Sequence, residues 1–334
     1  MPFCCDSLKS LVACHSTPGD EDEVAKLLLD HWSQSGWTCR RHGRYGISAQ
    51  SPKWHDDWPT VMLCAHMDSP GFIVQSVNND KIVAVSLGGI NPENADGAAV
   101  IVKTATGTVP AQVWAMPESP GSFQVICQQP IARGDRICFA PTFKVTREKV
   151  TAPFLDNRLG CHQLLMLAKA FSDTTSGEHP QAVNIILAAT AQEEFTGFGA
   201  AVLAKACPAD LVICLDATYA DEQQGVSLGK GPVLTVSDKS VLLGPKQSAC
   251  LQELCQHWKL PLQTEIYNFS GTDARAFPQQ GCDAAVYPIL LPSTGNHSPK
   301  ETARLCDILT LQKLLLKLCG DSAAVKALGS QSFA

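Results

Sequence analysis

The sequence predicts an α/β fold in which a mostly parallel sheet is covered by helices on both faces and carries an inserted all-β domain. Strand-length apolar runs alternate with helical patterns through the second half of the chain, which is typical of parallel strands joined by crossover helices. Between Gly71 and Lys149 the pattern changes to short alternating segments separated by Asn, Gly and Pro turns. We therefore predict an α/β domain at residues 1–70 and 150–334, interrupted by a small β-domain at residues 71–149.

The first half of the chain supplies one helix and several strands. Apolar residues at helical spacing predict a helix over residues 20–34, which the loop Thr17-Pro18-Gly19 starts. Two strands are predicted next, at residues 45–50 and 60–65. Inside the insert we expect no helix, and strands are predicted at residues 72–77, 81–85, 98–104 and 136–139.

The second half alternates between helices and strands. Helices are predicted at residues 158–171, 199–206 and 247–258, and strands at residues 183–189, 211–215, 263–267 and 284–290. A closing amphipathic helix is predicted over residues 301–318, because its leucines recur at helical spacing.

The composition excludes several classes of function. The chain has 334 residues, of which 45% are apolar and 17% charged, as in ordinary globular domains. Its formal charge of −6 argues against nucleic acid as a partner, and no apolar run reaches the ~20 residues that span a bilayer. The fifteen cysteines are scattered through apolar segments, and the N-terminus has no signal-peptide pattern. We therefore expect reduced thiols and a cytoplasmic protein without a membrane partner.

Two adjacent glutamates, Glu193 and Glu194, are the most informative feature of the chain. They follow the predicted strand at residues 183–189 almost directly. In α/β proteins the carboxyl end of a strand is where ligands bind. Two carboxylates side by side in a buried place repel each other unless a positive charge offsets them. A bound metal is the economical explanation, with one glutamate as a ligand and the other as a general base.

Further residues that can bind metals lie at or near the ends of apolar runs. His66 and Asp68 end one run, Asp156 opens a helix after the insert, Asp216 ends another run, and His297 follows the predicted strand at 284–290. Each has an ordinary alternative, such as a helix N-cap for Asp156 or a loop position for His297. The whole set at strand ends is better explained by a metal site.

Two histidines and three carboxylates form a set of nitrogen and oxygen ligands that suits zinc, with cobalt and manganese as alternatives. Two cations ~3.5–4 Å apart would share a bridging water whose pKa falls far enough to supply hydroxide at neutral pH. Glu193, which is not needed as a ligand, would take the proton of that water and pass it to a leaving amine. We therefore predict two divalent metal ions per chain as the cofactor.

The chain resembles a known family, the M42 metallo-aminopeptidases of the TET-aminopeptidase and glutamyl aminopeptidase type. The resemblance covers nearly the whole chain and implies a zinc-exopeptidase-like fold. It rests on an ordered series of motifs: Ala65-His66-Met67-Asp68, Leu155-Asp156-Asn157-Arg158-Leu159-Gly160-Cys161, Ala191-Gln192-Glu193-Glu194, Leu215-Asp216, Ser270-Gly271-Thr272-Asp273-Ala274 and His297-Ser298-Pro299.

The resemblance also implies a division of the metal ligands between two sites. Asp156 would bridge the two metals. His66 and Asp216 would complete one site, and Glu194 and His297 would complete the other.

Other roles follow from the same resemblance. Asp68 would act in catalysis by supporting the histidine two residues before it, and Glu193 would be the catalytic base. The glycine turn Gly271-Thr272-Asp273 would lie next to the substrate. In the family the β insert is linked to oligomer formation and to access to the pocket, so the resemblance implies a homo-oligomer, up to a dodecamer.

The sequence departs from the family pattern at three places. Ser69 and Pro70 stand where the family usually has an acidic and an aliphatic residue, which puts the approach of substrate in question. Arg275 occupies a position where a small residue is common, and it would either face the pocket and favour acidic N-terminal side chains or lie solvated on a helix. The insert is also short for the family, which leaves the twelve-subunit cage open.

We predict a dinuclear-metal aminopeptidase, a hydrolase that removes N-terminal residues from short peptides. A related dinuclear metal carboxypeptidase or N-acyl amino acid deacylase is the alternative among enzymes, and a substrate with a blocked amine distinguishes the two. A metal-free scaffold that binds peptides is the alternative outside enzymes, but the complete set of ligands argues against it. Glycan hydrolysis by paired carboxylates would leave His66 and His297 without a role. The preferred N-terminal residue and the physiological metal stay open.

Overall fold

The computed structural model describes residues 5–78, 81–172 and 181–330. Within these ranges the helices are α1 Cys5–Ala13, α2 Asp22–Gln34, α3 Pro92–Ala95, α4 Leu155–Ala170, α5 Phe198–Ala206, α6 Pro245–His257, α7 Ala276–Gln279, α8 Leu305–Cys319 and α9 Ser322–Gly329. The strands are β1 Thr38–Arg41, β2 Gly46–Gln50, β3 Thr60–His66, β4 Gly71–Asn78, β5 Lys81–Leu87, β6 Ala98–Thr104, β7 Gly107–Ala115, β8 Ser122–Cys127, β9 Arg136–Phe139, β10 Lys144–Val145, β11 Lys149–Ala152, β12 Asn184–Thr190, β13 Leu211–Tyr219, β14 Val233–Ser237, β15 Gln263–Ile266, β16 Ala285–Thr294 and β17 Glu301–Arg304.

One large sheet has the strand order β1-β2-β12-β3-β13-β16-β17-β11-β10, and β14 and β15 branch from β16. The central strands β12, β3, β13 and β16 run parallel to one another. Towards both edges the strands pair antiparallel. The sheet is therefore mixed rather than mostly parallel, because its outer pairs β1–β2, β10–β11 and β16–β17 are joined by short turns instead of crossover helices.

The other six strands close an antiparallel barrel in the order β4-β5-β8-β7-β6-β9. The barrel begins five residues after β3 ends, and it interrupts the large sheet, which resumes with β10 and β11. The segment also contains the short helix α3, contrary to the expectation of no helix there. Asn91 caps this helix by accepting a hydrogen bond from the backbone N–H of Glu93, and Pro92 stands at its first position.

Helices cover the large sheet on both faces. Alternate residues of β3 point to opposite faces, so Val61 and Leu63 pack into the core that contains α4. Met62 and Cys64 point the other way and pack with Leu203 of α5 and with Phe277 of α7. None of the helices in the described ranges has the length and apolar character needed to cross a bilayer.

The predicted closing helix is wrong in its first turn. Residues 301–304 form β17, which pairs with β16 on one side and with β11 on the other, and α8 begins at Leu305. Hydrogen bonds to two neighbouring strands decide the conformation of this segment, and they involve residues distant in sequence that helical periodicity does not reveal. The remaining elements that were not predicted are strands β1, β7, β8, β10, β11 and β14 and helices α1, α7 and α9.

Candidate metal centre

Adjacent parallel strands bring His66 and Asp216 together. Strands β3 and β13 pair with Cys64 opposite Cys214, so the residues two positions further along lie side by side on the same face. The Nε2 atom of His66 lies 3.1 Å from Oδ1 of Asp216. Both side chains are buried. His66 is the last residue of β3, whereas Asp216 lies three residues before the end of β13, which continues beyond the predicted strand at residues 211–215.

Asp156 enters from the start of α4. Phe154 precedes that helix in the left-handed region, at φ 67°, and Asp156 itself departs from helical geometry. The main chain therefore turns at this point and presents the Asp156 carboxylate to both histidines. Its Oδ1 lies 3.3 Å from Nε2 of His66, and its Oδ2 lies 3.4 Å from Nε2 of His297.

Glu194 completes a second trio with Asp156 and His297. The Nε2 atom of His297 lies 3.2 Å from Oε1 of Glu194. Oxygen and nitrogen atoms of His66, Asp156 and Asp216 lie within 4.8 Å of one another, and so do those of Asp156, Glu194 and His297. The two trios share Asp156, and each contains one imidazole and two carboxylates, which is a ligand set that zinc and related cations accept.

Two buried oxygens support the presence of cations. Oδ1 of Asp156 and Oε1 of Glu194 have no hydrogen-bond partner among the described residues. A buried carboxylate oxygen without a partner carries the desolvation cost of its charge, and a coordinated cation removes that cost. The residues present therefore fit one divalent cation in each trio.

Both histidines are oriented by backbone carbonyls. Nδ1 of His66 donates to the carbonyl oxygen of Asp68 at 3.0 Å, and Nδ1 of His297 donates to that of Gly89 at 2.8 Å. Because a carbonyl only accepts, each ring carries a proton on Nδ1, and Nε2 faces the carboxylates. Gly89 lies between β5 and α3, so the interrupting segment takes part in shaping the centre.

The charges in the centre shift the pKa values of its members. Burial alone would lower the pKa of His66, but the carboxylates of Asp216 and Asp156 raise it well above its ordinary value. His297 behaves in the same way beside Glu194 and Asp156. Burial raises the pKa of Asp216 to about 7. Burial alone would raise the pKa of Asp156, but the neighbouring His297 and His66 outweigh that effect and lower it.

Glu193 points into the cavity of the same centre. Its carboxylate lies within 4.8 Å of metal-binding atoms of His66 and Glu194. Burial raises its pKa well above the ordinary value, and the charge of Asp216 raises it further. A carboxylate that holds a proton this readily is suited to taking one from water.

Asp68 is buried next to the candidate metal centre and binds the backbone of the two adjacent glutamates. Its side chain is completely buried, and its two oxygens accept hydrogen bonds from the backbone N–H groups of Glu193 and Glu194, at 3.0 and 3.1 Å. Oδ1 also lies 3.6 Å from Nδ1 of His66. Asp68 therefore fixes the backbone of the glutamate pair as well as flanking the histidine, which is more than the predicted support of His66 alone.

Sequence reasoning missed Glu301, which is buried beside the centre. Its Oε1 accepts from the backbone N–H of His297, and its Oε2 accepts from that of Asp156. The predicted helix over 301–318 placed this residue in a first helical turn, where a glutamate is ordinary. Its position four residues after His297 was the one available signal.

The residues of the predicted glycine turn, Gly271-Thr272-Asp273, line two different cavities. Gly271 and Thr272 line the cavity of about 150 Å³ that contains the metal-binding side chains. Asp273 is buried and does not line this cavity. It accepts a hydrogen bond from the hydroxyl of Thr190, and burial raises its pKa to about 6. It lines a neighbouring cavity of about 310 Å³ together with the exposed Arg275. Arg275 does not line the cavity of the candidate metal centre, so the solvated alternative describes it better.

Ser69, one of the departures from the family pattern, contacts the centre directly. Its hydroxyl donates to the carbonyl oxygen of Asp156 at 2.8 Å and accepts from the guanidinium of Arg158 at 3.3 Å. Arg158 is completely buried and also donates to the carbonyl oxygens of Leu11 and Met67. Ser69 therefore links the start of α4 to the segment after β3.

Comparison with known proteins identifies relatives along nearly the whole chain. The family model described as M42 glutamyl aminopeptidase matches residues 46–119 and 126–314. A glutamyl aminopeptidase of Lactococcus lactis subsp. cremoris is 27% identical over 301 residues, which cover 81% of this chain and 83% of the relative. A lysyl aminopeptidase of Pyrococcus furiosus is 27% identical over 292 residues, which cover 78% of this chain and 82% of the relative.

Solved structures share the fold. A TET aminopeptidase from a marine sediment Thaumarchaeota archaeon superposes with a TM-score of 0.87 at 21% identity, covering 97% of this chain and 98% of that one. The TET1 peptidase of Pyrococcus horikoshii, which can assemble into a tetrahedron or a large octahedral shell, superposes with a TM-score of 0.82 at 22% identity, covering 94% of this chain and 98% of that one.

Proposed function

This chain belongs to the M42 glutamyl aminopeptidase family, and from that premise we propose that it works with two divalent metal ions held by the two trios around Asp156. It is a metallo-aminopeptidase, a hydrolase that removes N-terminal residues from peptides. His66, Asp156 and Asp216 would hold one cation, and Asp156, Glu194 and His297 would hold the other.

Asp156 carries the strongest support for two cations rather than one. Its two oxygens face different histidines, with Oδ1 near His66 and Oδ2 near His297. A carboxylate that serves a single cation has no need of a second imidazole at its other oxygen. A bridging carboxylate needs this arrangement, as two-metal hydrolases use it.

The residues of the chain would then have separate roles in the hydrolysis. When bound, the two cations would supply Lewis acidity towards the scissile carbonyl and lower the pKa of a water molecule. Glu193 would take the proton of the attacking water and deliver it to the leaving amine. Asp68 would keep Glu193 in place through the backbone hydrogen bond at 3.0 Å. Gly271 and Thr272 line the cavity and would contact the substrate.

Zinc is the cation we propose, with cobalt or manganese as alternatives, because two imidazoles and three carboxylates with room for water suit these ions. We propose a cytoplasmic location, since the thirteen cysteines from Cys14 to Cys319 in the described ranges are free thiols, as expected for a reducing compartment.

We further propose that the enzyme is a homo-oligomer, with twelve subunits as the number to test. The barrel presents large apolar side chains to solvent, among them Ile126, which is 52% exposed, and Trp114, which is 41% exposed. Exposed apolar side chains of this size are common at subunit interfaces. The family neighbours that assemble into closed shells support the same proposal.

Metal analysis combined with a panel of amino-acyl amides tests the function. We expect about two metal ions per chain, release of N-terminal residues, loss of that activity on chelation, and its return when metal is added. The same panel with acetylated amines should not be cleaved. Cleavage of only the blocked substrates would instead support a deacylase, and a protein that takes up no zinc, cobalt or manganese would contradict the proposal.

A further inference from the structure

The cavity of the metal centre has a second wall that no metal ligand occupies. Residues from β13, from the turn after β14, from β15 and from the loop that follows β15 line this wall. The cavity measures about 150 Å³ in all, which suits one amino-acid residue rather than a larger ligand. In an aminopeptidase, this wall would face the side chain of the N-terminal residue.

Glu265 is the most buried acidic residue of that wall, with only 3% of its surface exposed. Its two oxygens accept hydrogen bonds from the hydroxyls of Thr218 and Thr235, each at 2.6 Å. Both partners are neutral, so no cation of the described chain compensates its charge. Burial raises the pKa of Glu265 for this reason. Each carboxylate oxygen still has a lone pair for a further donor.

Asp238 adds a second carboxylate to the same wall. Its Oδ1 accepts from the backbone N–H groups of Ser240 and Val241, at 2.6 and 2.7 Å, which fixes the side chain. Arg275 acts electrostatically on Asp238 but lines the neighbouring cavity instead. Lys239, the next residue, is exposed and does not line the wall.

Two tyrosines complete the wall. Tyr219 and Tyr267 both line the cavity, and their ring centroids lie 6.2 Å apart in a tilted arrangement. The faces of phenol rings attract ammonium and guanidinium groups. The wall therefore combines two carboxylates with two rings. Among the described residues, the only basic side chains that line the cavity are those of the proposed ligands His66 and His297, which lie outside this wall.

We propose that this wall selects peptides whose N-terminal side chain is basic, lysine or arginine, and that Glu265 is the residue that recognises it. This inference rests on the proposed aminopeptidase function. The ammonium or guanidinium group would reach the free lone pairs of Glu265, with Asp238 and the two rings along its path. An acidic side chain would meet two carboxylates and no free cation, so it would be rejected in spite of the family's name.

The five carboxylates of Asp68, Asp156, Glu193, Glu194 and Asp216 outweigh the charge of two divalent cations. A basic side chain therefore meets no net repulsion from the loaded metal centre.

The test uses the metal-loaded full chain and five 4-nitroanilides, those of lysine, arginine, leucine, glutamine and glutamate. We expect the highest kcat/KM for the lysine and arginine substrates and the lowest for the glutamate substrate. Glu265→Gln keeps the size of the side chain, and the threonine hydroxyls can rotate to match the amide. This variant should lower the ratio of kcat/KM for lysine over leucine by about 10- to 100-fold, the usual effect of losing a hydrogen bond between charged groups.

Metal analysis and circular dichroism show whether Glu265→Gln is folded and loaded with metal. Glu253→Gln, on the exposed surface of α6, is the matched control and should leave the ratio unchanged. A preference for leucine, glutamine or glutamate, or an unchanged ratio in Glu265→Gln, would overturn the inference while leaving the aminopeptidase function intact. Failure to cleave any of the five would overturn the proposed function and the inference with it.

Discussion

Glu301 accepts a hydrogen bond from the backbone N–H of His297, with 3.0 Å between the nitrogen and Oε1. Its Oε2 accepts from the backbone N–H of Asp156 at 2.8 Å. His297 stands at φ 61°, in the left-handed region that residues other than glycine rarely adopt. One buried carboxylate thus fixes the main chain of the proposed bridging ligand and of a histidine from a distant loop.

Replacing Glu301 with glutamine should weaken the metal site that contains His297. The amide can accept only one of the two backbone hydrogen bonds and points its own donor at the other N–H. Asp156 and His297 would lose their common anchor, while His66 and Asp216 keep theirs. Because Asp156 belongs to both trios, we expect binding of both metals to weaken, and binding of the metal beside His297 to weaken most, by roughly 10- to 100-fold, as for other residues that orient ligands. Metal titration followed by calorimetry measures both affinities.

The surface variant Glu253→Gln is the matched control for Glu301→Gln, because it makes the same chemical change on an exposed helix face. Equal weakening of both metals would mean that Glu301 maintains the fold in general. Two unchanged affinities would mean that the backbone positions are held by other contacts.

Asp68→Asn should disturb both metal sites. Asp68 accepts from the backbone of Glu193 and Glu194, and an asparagine side chain can satisfy only one of these donors. It also removes the carboxylate 3.6 Å from Nδ1 of His66. We expect metal affinity to fall by about 10- to 100-fold and kcat to fall at saturating metal as well. Metal titration and steady-state kinetics separate the two effects.

Asp57→Asn, on an exposed turn, makes the matched change without touching the centre and should have neither effect. If Asp68→Asn binds metal normally and only kcat falls, Asp68 acts through Glu193 alone. A fully active variant would remove Asp68 from the proposed catalytic machinery.

The side chains that meet in the candidate metal centre could be chosen from the sequence because their positions follow from local patterns. Glu194 follows the apolar strand β12, and Asp216 directly follows the apolar run at residues 211–215 of β13. The carboxyl-terminal parts of parallel strands meet at one edge of a sheet. Glu301 could not be found this way. It acts on Asp156 from 145 residues away and through backbone N–H groups, which leave no trace in the types of the residues that it contacts.

The secondary structure shows the same contrast between features set by local sequence and features set by distant contacts. The central strands and α4–α6 were predicted to within a few residues, because their apolar periodicity is strong. The antiparallel edges of the sheet were not, since β1, β10 and β17 are four residues long or shorter. Strands this short are stabilised by pairing with neighbours far away in sequence, and their own side chains carry little pattern.

The metal-free protein should lose stability as the pH rises. Burial raises the pKa of Asp216 to about 7 and that of Glu301 to about 8, from ordinary values of 3.8 and 4.5. At a pH between the ordinary and the raised pKa of each group, the folded protein holds a proton that the unfolded chain has released. Unfolding therefore becomes more favourable as the pH increases. The raised pKa of His66 acts in the same direction. The lowered pKa of Asp156 acts only below its ordinary value of 3.8, outside this interval.

We therefore expect the melting temperature of chelator-treated protein to fall between about pH 4 and about pH 8. Thermal unfolding followed by circular dichroism across that interval measures it. Added zinc should restore stability most at the upper end, because cations then replace the lost protons. A melting temperature of the metal-free protein that rises with pH would contradict the proposed charge balance.

Glu193→Gln separates the role of a base from the role of a ligand. Glu193 lies close enough to His66 and Glu194 to share a cation with them, so the geometry alone allows either role. A glutamine cannot take a proton from water, yet the five proposed ligands remain. We expect two metals per chain with unchanged affinity and a kcat lower by about 10²- to 10⁴-fold, the usual contribution of a general base. Metal analysis and kinetics on one preparation decide between the roles, since loss of a metal would make Glu193 a ligand and full activity would remove it from the mechanism.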